Sequence, residues 1–379
     1  MATTAPLIPL FDLRLDDEDL EAVAETLRSG WLTMGPRVAA FEQAFADRLG
    51  SRHVLAVSSC TAALHLIYQE LGIGSGDEVI VPSYTFVATA AAVRYCGATP
   101  VFADILGPHD LSIDPEDVAT KMTERTKAVT AVHFGGYAAP VDDLRALCDE
   151  RGVILFEDAA HAPAATLNGM PLGLFGRASA FSLFSNKVLS VGEGGMVATD
   201  DDHVAERIGT LRSQAMTSGT WDRHTGRTDT YDVQDLGYNY RLDEARAALA
   251  LTRLNRLDAD IARRRVLTHR YRELFRDVPD VEVPFTDASV DTSTCYVMPI
   301  LVPAARRDDL RDALLANHAV QTSLFYPPAH RFTAYRHYNA SLPRTESASD
   351  REVTIPLYPH MSEDDQQRVV HGIAKELSA

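Results

Sequence analysis

Short apolar runs rich in β-branched residues recur along the first two-thirds of the chain, separated by amphipathic segments. Runs of this kind predict strands that are buried on both faces of a sheet. They lie at residues 53–58, 78–82, 100–104, 126–133, 153–157, 179–183 and 196–199. Segments between them predict helices, for example 61–71 and 141–151, and residues 16–29 predict a helix with an acidic first turn. The alternation predicts an α/β fold whose central sheet is mostly parallel and flanked by helices.

The pattern changes after residue 242. Residues 242–275 are rich in Ala, Leu and Arg and contain neither Pro nor Gly, which predicts one long helix. The elements predicted after it are strands at 281–284 and 295–302 and helices at 307–317 and 363–377. We therefore predict a large domain with the N-terminal segment over residues 1–245, and the long helix with a smaller C-terminal α+β domain over residues 246–379. Residues 215–232 are polar and turn-rich and predict an exposed loop.

Composition and charge disfavour several classes of partner. The 379 residues include 53 acidic and 36 basic side chains, a formal net charge of −17, which disfavours nucleic acid or an anionic membrane as the main partner. The chain contains no run of about 18–20 apolar residues that would cross a membrane. Its first residues do not show the basic region followed by an apolar region that is typical of a signal peptide, so we expect a cytoplasmic protein. The 4 cysteines form no C-x-x-C pair, so we expect reduced thiols and no metal site.

Candidate chemistry lies at the ends of the predicted strands, where open α/β sheets usually bind their ligands. Standard motifs of nucleotide hydrolysis, dinucleotide binding, serine hydrolysis and zinc proteolysis are missing. Asp158 and His161 follow the strand at 153–157. Lys187 precedes a glycine-rich turn, where partial desolvation would free its amine for a Schiff base. Taken alone, the acid can be a helix cap and the lysine a solvated surface residue.

Two further segments add to this pattern. Residues 58–64, Ser-Ser-Cys-Thr-Ala-Ala-Leu, join a strand to a helix, and backbone N–H groups at a helix N-terminus bind anions such as a phosphate ester. Phe86 follows the next strand and offers a flat ring to a heteroaromatic cofactor. The alternatives are an ordinary helix cap and a core phenylalanine. Together, a phosphate cradle, a ring, an acid and a lysine fit pyridoxal 5′-phosphate.

On these residues the chain resembles the DegT/DnrJ/EryC1/StrS family of sugar aminotransferases, which belongs to the fold-type I pyridoxal phosphate enzymes. The resemblance covers nearly the whole chain. The segments that carry it, in family order, are residues 30–36, 41–42, 60–66, 82–86, 132–136, 157–161, 182–187, 192–195 and 237–241. It implies the fold-type I architecture, with a large domain built on the mostly parallel sheet and a smaller C-terminal α+β domain.

The resemblance also implies how the matching residues meet the cofactor ring. Lys187 would form the Schiff base with the cofactor and then move the proton between substrate and cofactor. Asp158 would pair with the pyridinium nitrogen and keep the ring an electron sink. Phe86 would stack on one face of the ring, with His161 close beside it.

For the cofactor phosphate, the resemblance implies contacts from Cys60, Thr61 and Ser182. Asn239 would reach the same phosphate from a neighbouring subunit, which implies an obligate homodimer with two shared active sites. Cys60 stands where many relatives have glycine. Because both residues offer a backbone N–H, we expect phosphate binding to survive the difference.

Near the sugar, the resemblance makes Tyr326, His330 and Arg241 candidate substrate contacts. Phe325 stands where relatives often carry histidine, so no substrate role is carried over to it. The substrate implied is a nucleotide-linked keto-deoxysugar, aminated at C4 rather than C3, with glutamate as the donor. Two alternatives remain: a pyridoxamine phosphate-dependent sugar dehydratase of the same family, and a non-catalytic pyridoxal phosphate-binding regulator. Those dehydratases carry histidine at the Schiff-base position, so Lys187 counts against the first.

Overall fold

A computed structural model describes residues 6–378 of the chain. Its helices are α1 (Asp17–Ser29), α2 (Pro36–Leu49), α3 (Cys60–Glu70), α4 (Ala88–Tyr95), α5 (Pro115–Lys121), α6 (Val141–Arg151), α7 (Asp202–Leu211), α8 (Thr220–His224), α9 (Glu244–Phe275), α10 (Asp287–Thr292), α11 (Arg307–His318), α12 (Pro343–Arg351) and α13 (Glu363–Ser378). Its strands are β1 (His53–Val57), β2 (Glu78–Pro82), β3 (Thr99–Ala103), β4 (Ile105–Gly107), β5 (Asp110–Ile113), β6 (Thr126–Val132), β7 (Ile154–Asp158), β8 (Thr166–Leu167), β9 (Met170–Pro171), β10 (Ala178–Ser182), β11 (Gly195–Thr199), β12 (Met298–Leu301) and β13 (Glu352–Ile355). Within residues 6–378, no helix is both long enough and apolar enough to cross a membrane.

Seven strands form the central sheet in the order β1-β11-β10-β7-β6-β2-β3. The strands from β10 to β3 are parallel to one another, and β11 runs antiparallel to both of its neighbours. These are the strands that the apolar runs predict, each with ends within one residue of the prediction, so the mostly parallel sheet is confirmed. Every residue of β2, β10 and β11 is buried. Burial on both faces explains why the sequence shows continuous apolar runs there.

The carboxyl ends of the parallel strands meet at one edge of the sheet. β7 ends at Asp158 and β10 ends at Ser182, and Ala180 of β10 pairs with Asp158. β1 points in the same direction and leads through Ser59 into α3. The fold therefore brings an acid, a hydroxyl and a helix N-terminus from distant parts of the chain to the same edge.

The long helix predicted after residue 242 is confirmed as α9, which has 32 residues. Asp243 is its N-cap and accepts a hydrogen bond from the Arg246 N–H, and the helix packs against α1 and α2. After it, β12 and β13 form a small antiparallel sheet, with α11 packed on β13 and α13 on α11. The helices predicted at 307–317 and 363–377 are confirmed. The division of the chain at residue 245 stays a prediction.

Two strands predicted in this C-terminal part need correction. The strand predicted at 281–284 is wrong, since only Glu282 makes a β-bridge there. Pro284 lacks the N–H that a continuing strand would need. The strand predicted at 295–302 is shortened to β12, because Cys295 has a φ of 48° and so leaves the extended conformation. An apolar run therefore overestimates a strand where the backbone turns.

The loop predicted at 215–232 contains the short helix α8. The Trp221 ring of this helix lies 4.8 Å from the Trp31 ring, and the His224 ring of the same helix lies 4.4 Å from the Trp31 ring. Contacts between flat rings at these distances stabilise the packing of an otherwise polar segment. The insertion is therefore anchored to the segment between α1 and α2.

Candidate active site

One cavity of about 390 Å³ lies at the carboxyl edge of the sheet. The residues singled out from the sequence that line it are Cys60, Thr61, Phe86, Asp158, His161, Ser182, Lys187 and Tyr326. Asn186 and Tyr296, which the sequence did not single out, line it as well. A largely apolar cavity with a few converging polar groups is the usual form of a small-molecule site.

Asp158 is the acid of this cavity. Its side chain is buried, with Thr89 Oγ1 donating to Oδ2 at 2.8 Å and the Ala160 N–H donating to Oδ1 at 3.2 Å. Burial raises the pKa of the Asp158 carboxyl above its usual value, and the hydrogen bond from Thr89 opposes the rise. A cation placed beside the carboxylate would favour its charged form, so this position suits a protonated ring nitrogen.

Lys187 is the amine of the cavity and lies in the turn after β10. Its Nζ donates to Tyr296 Oη at 3.3 Å and lies 4.3 Å from the centre of the Tyr296 ring. Burial lowers the pKa of the Lys187 amine from 10.5 to about 8, while Cys60 and Asp158 act in the opposite direction. An amine that loses its proton near pH 8 can act both as a nucleophile and as a proton acceptor.

Tyr296 holds this lysine in place. Its hydroxyl donates to Asn186 Oδ1 at 2.9 Å, and its ring centre lies 4.4 Å from that of His161. The residue follows Cys295 in an apolar run, and nothing in that run separates a site tyrosine from a core tyrosine. Only the fold, which brings it to the turn after β10, identifies its role.

His161 is a neutral donor in this cavity. The Gly135 N–H donates to its Nδ1 at 3.2 Å, so Nε2 carries the proton and donates to Tyr326 Oη at 3.1 Å. Burial lowers the pKa of His161 well below its usual value, and the nearby Lys187 lowers it further. His161 therefore stays uncharged at neutral pH and orients the hydroxyl of Tyr326.

The first turn of α3 forms the anion-binding part of the cavity. Ser59 is its N-cap and its Oγ accepts from the Ala62 N–H at 3.1 Å, while the first N–H groups of any helix lack partners inside it. A Cβ at Gly195 would lie 2.5 Å from Cys60 N, so the close approach of β11 requires glycine there. Burial raises the pKa of the Cys60 thiol well above its usual value, so the thiol stays uncharged beside an anion.

These residues fit pyridoxal 5′-phosphate. The α3 turn offers N–H groups to the phosphate, Asp158 offers a carboxylate to the ring nitrogen, and Lys187 offers an amine to the aldehyde. The Phe86 ring is 55% exposed and leaves a flat face free for stacking. Among residues 6–378, no cluster of His, Cys, Asp and Glu side chains could hold a metal ion.

Three residues singled out from the sequence do not line this cavity. His330 is buried, with its Nδ1 2.6 Å from Ser83 Oγ. Arg241 lies beside the end of β1, and its Nη1 donates to Ser213 Oγ at 3.1 Å. Asn239 is exposed and bridges to Ser213. The substrate and cofactor roles implied for these three residues stay predictions.

Comparison with known proteins finds relatives along nearly the whole chain. The DegT/DnrJ/EryC1/StrS aminotransferase family matches residues 13–374. The spore coat polysaccharide biosynthesis protein SpsC of Bacillus subtilis (strain 168) is 38% identical over 364 residues, which cover 94% of this chain and 93% of SpsC.

Solved structures show the same similarity. The aminotransferase TlmJ from Streptoalloteichus hindustanus is 34% identical, with a TM-score of 0.92 over 98% of this chain and 99% of that chain. DesI, solved in the presence of its TDP-sugar product, is 34% identical, with a TM-score of 0.88 over 99% of this chain and 93% of that chain. The fold class and the resemblance drawn from the sequence are thereby confirmed. The chain belongs to the DegT/DnrJ/EryC1/StrS aminotransferase family.

Proposed function

We propose that this protein is a pyridoxal 5′-phosphate-dependent aminotransferase that moves an amino group from glutamate to the keto carbon of a nucleotide-linked keto-deoxysugar, in amino-sugar biosynthesis. The observation that carries the proposal is the position of Lys187, whose amine shares one cavity with the Asp158 carboxyl and the N-terminus of α3. SpsC, named for polysaccharide biosynthesis, and DesI, solved with a TDP-sugar, support a sugar as acceptor. Glutamate as donor and C4 over C3 rest on the family resemblance.

Lys187 is the proton carrier of this reaction. When bound, pyridoxal phosphate supplies an aldehyde that takes up the amine and a ring that withdraws electrons from the carbon next to it. Lys187 would take the proton from the substrate carbon that carries the amine, a task suited to an amine whose pKa is about 8. Tyr296 accepts from Nζ at 3.3 Å through its hydroxyl and so fixes the place from which the amine would act.

The other residues of the cavity bind and orient. Asp158, fixed by Thr89 and the Ala160 N–H, would hold the proton on the ring nitrogen of the cofactor. Neutral His161 donates to Tyr326 Oη and so fixes a hydroxyl that lines the cavity. The ring of Phe86 lies 5.7 Å from that of Tyr326, and both residues line the cavity.

The test starts from the purified protein loaded with pyridoxal phosphate. Glutamate should convert the visible absorption band of the lysine-bound cofactor to that of pyridoxamine phosphate. UDP- and dTDP-linked 4-keto and 3-keto 6-deoxysugars should then reverse the change, with the amino sugar identified by mass spectrometry. Lys187→Ala should abolish both the band and the turnover. Full turnover by that variant would overturn the mechanism, and turnover by the 3-keto sugar alone would overturn the preference for C4.

We also propose that two copies share their active sites through Asn239. Support comes from Tyr231, Val233 and Leu236 in the segment leading to it, which are 52%, 54% and 77% exposed. Exposed apolar side chains clustered in one segment mark surfaces that a partner covers. Light scattering should show a dimer for the wild type, and Asn239→Ala should retain the cofactor less tightly in dialysis. A monomer, or unchanged retention, would contradict the shared site.

A further inference from the structure

A second cavity of about 360 Å³ adjoins the candidate active site and shares Asn186 and Lys187 with it. Its other walls are the N-terminal segment over residues 11–16 and the buried side of α9. We call it the arginine cavity, after the residues that give it its charge, Arg14, Arg253, Arg256 and Arg264. Any group bound here lies beside Lys187, on the side of α9.

The lining carries more positive than negative groups. Four arginines and Lys187 face the carboxylates of Asp12, Asp16 and Asp260. Two of these acids form ion pairs with other residues of the lining. Asp16 pairs with Arg256, which also bonds Asp19, and Asp12 Oδ2 lies 2.6 Å from His360 Nε2 and 3.5 Å from Arg14 Nε. Burial lowers the pKa of Arg253 and Arg264; the carboxylates of Asp19 and Asp260 oppose the change at Arg253, and Asp260 opposes it at Arg264.

Arg253 makes fewer hydrogen bonds than Arg264, the other buried arginine of the cavity. The residue is 9% exposed, and its only hydrogen bond among the described residues runs from Nη1 to the Arg14 carbonyl at 3.3 Å. Its closest carboxylate oxygen, on Asp19, is 3.8 Å away, and its buried Nε has no partner within residues 6–378. Burial lowers the pKa of Arg253 below its usual value. A buried guanidinium with unused donors is the group that binds a carboxylate through two parallel hydrogen bonds.

Arg264 lies deeper in the same wall and is 5% exposed. Its Nη1 donates to the carbonyls of Cys295, Tyr296 and Leu357 at 3.1 to 3.4 Å. Those bonds hold the guanidinium still beside the tyrosine that contacts Lys187. Arg264 therefore adds a fixed positive charge to the cavity, and its Nε, like that of Arg253, has no partner within residues 6–378.

We propose that the arginine cavity binds the side-chain carboxylate of a dicarboxylic amino donor, with Arg253 as its main contact. The inference rests on the proposed function, since it takes the aminotransferase reaction as given and adds how the donor is selected. The donor's amine has to reach the place that the Lys187 amine occupies, and the arginine cavity shares Lys187 with the cavity of the candidate active site. The side-chain carboxylate of glutamate lies a few carbon–carbon bonds from its amine, so it falls within this cavity while the amine reacts.

The experiment compares Arg253→Gln with Arg270→Gln in the protein loaded with pyridoxal phosphate. Arg270 lies on the same helix but pairs with Glu363 outside the cavity, so it controls for loss of an arginine from α9. Loss of the visible band is followed at increasing glutamate or alanine. Arg253→Gln should raise the half-saturating glutamate concentration about tenfold, the effect of one charge-assisted contact, and leave the saturating rate and the alanine reaction unchanged. Arg253→Lys should restore part of the affinity.

A binding measurement separates this inference from the proposed function. Glutarate, which has no amine to transfer, should raise the melting temperature of the wild type and of Arg270→Gln but not of Arg253→Gln. Equal glutarate binding by both variants would overturn the inference. So would a loss of UDP and dTDP binding in Arg253→Gln with glutarate binding kept, because the cavity would then hold the nucleotide's phosphates. If glutarate binding depends on Arg253 but glutamate is not turned over, the site stands and the proposed donor reaction fails.

Discussion

Glu157 and Asp158 are consecutive residues at the end of β7. Because they point to opposite faces of the sheet, their surroundings differ completely. The Glu157 side chain is fully buried. Its oxygens accept from three backbone N–H groups of residues 173–176, each at 2.7 Å, and from His133 Nε2 at 2.9 Å. Asp158 accepts from Thr89 and the Ala160 N–H and faces the cavity.

The number of hydrogen bonds that each carboxylate accepts distinguishes the structural role of Glu157 from the chemical role of Asp158. An ionised carboxylate has about four acceptor sites. Glu157 fills them and thereby ties the loop before β10 to β7, whereas Asp158 has acceptor capacity left for a ligand. The comparison predicts that loss of charge at Glu157 acts on stability and that loss of charge at Asp158 acts on catalysis.

Asp158→Asn should give the largest effect. The amide keeps the volume of the side chain but cannot hold a proton on the cofactor ring nitrogen. We expect the rate of the glutamate half-reaction to fall about 10²–10³-fold, the size typical of losing one pre-organised electrostatic partner. Single-turnover absorbance measures the rate, and the melting temperature should change little. A variant that reacts normally would show that Asp158 does not meet the ring.

Glu157→Gln should show the converse. The glutamine has an NH2 group in place of one carboxylate oxygen. The backbone N–H groups that donate to that oxygen in the wild type would then face another donor and lose their acceptor. We expect a loss of about 3 kcal/mol in the free energy of unfolding, with the rate per folded molecule retained. Denaturant titration gives the first quantity and turnover of the folded fraction gives the second. Unchanged stability with impaired turnover would reverse the assignment of the two residues.

The sequence predicts the role of Asp158 better than it predicts the role of Glu157. Asp158 stands at the end of an apolar run and within a family segment, so it is predicted as a site residue. Glu157 belongs to the same segment, but its partners come from residues 173–176, and only the folded loop shows them. The strands of the central sheet are predictable because burial on both faces makes each a continuous apolar run. The β4–β5 hairpin, with its short strands, gives no such signal.

Tyr296 marks the limit of what the sequence alone could predict. It accepts a hydrogen bond from Lys187, which lies 109 residues earlier in the sequence, and its own apolar run predicts a core residue. The second cavity was missed for the same reason, since Arg14 and Arg253 come together only when α9 packs against the N-terminal segment. A residue's own neighbours in sequence predict burial and strand ends, while contacts between distant segments depend on packing.

Tyr296→Phe sharpens the comparison, because it removes a contact to the lysine without touching either carboxylate. In the variant the phenyl ring would keep its place, with its centre 4.3 Å from Nζ of Lys187. Only the hydrogen bonds of the hydroxyl with Lys187 and Asn186 would be lost. A single neutral hydrogen bond contributes about 0.5–1.5 kcal/mol, so we expect the half-reaction to slow roughly three- to tenfold. Single-turnover absorbance with glutamate measures it. A loss as large as that of Asp158→Asn would mean that the hydroxyl itself takes part in proton transfer.

The smallest expected effect is a shift in pH dependence. Capture of pyridoxal phosphate by the cofactor-free protein needs the neutral Lys187 amine, whose pKa is about 8, so the capture rate should rise with pH through that value. The Asp158 carboxylate raises this pKa by attracting the ammonium form. Asp158→Asn should therefore move the midpoint of the profile to lower pH, whereas Glu157→Gln, on the other face of β7, should leave it in place. Stopped-flow absorbance across the pH range measures both variants, and an equal shift in the two would show that the faces are not electrostatically separate.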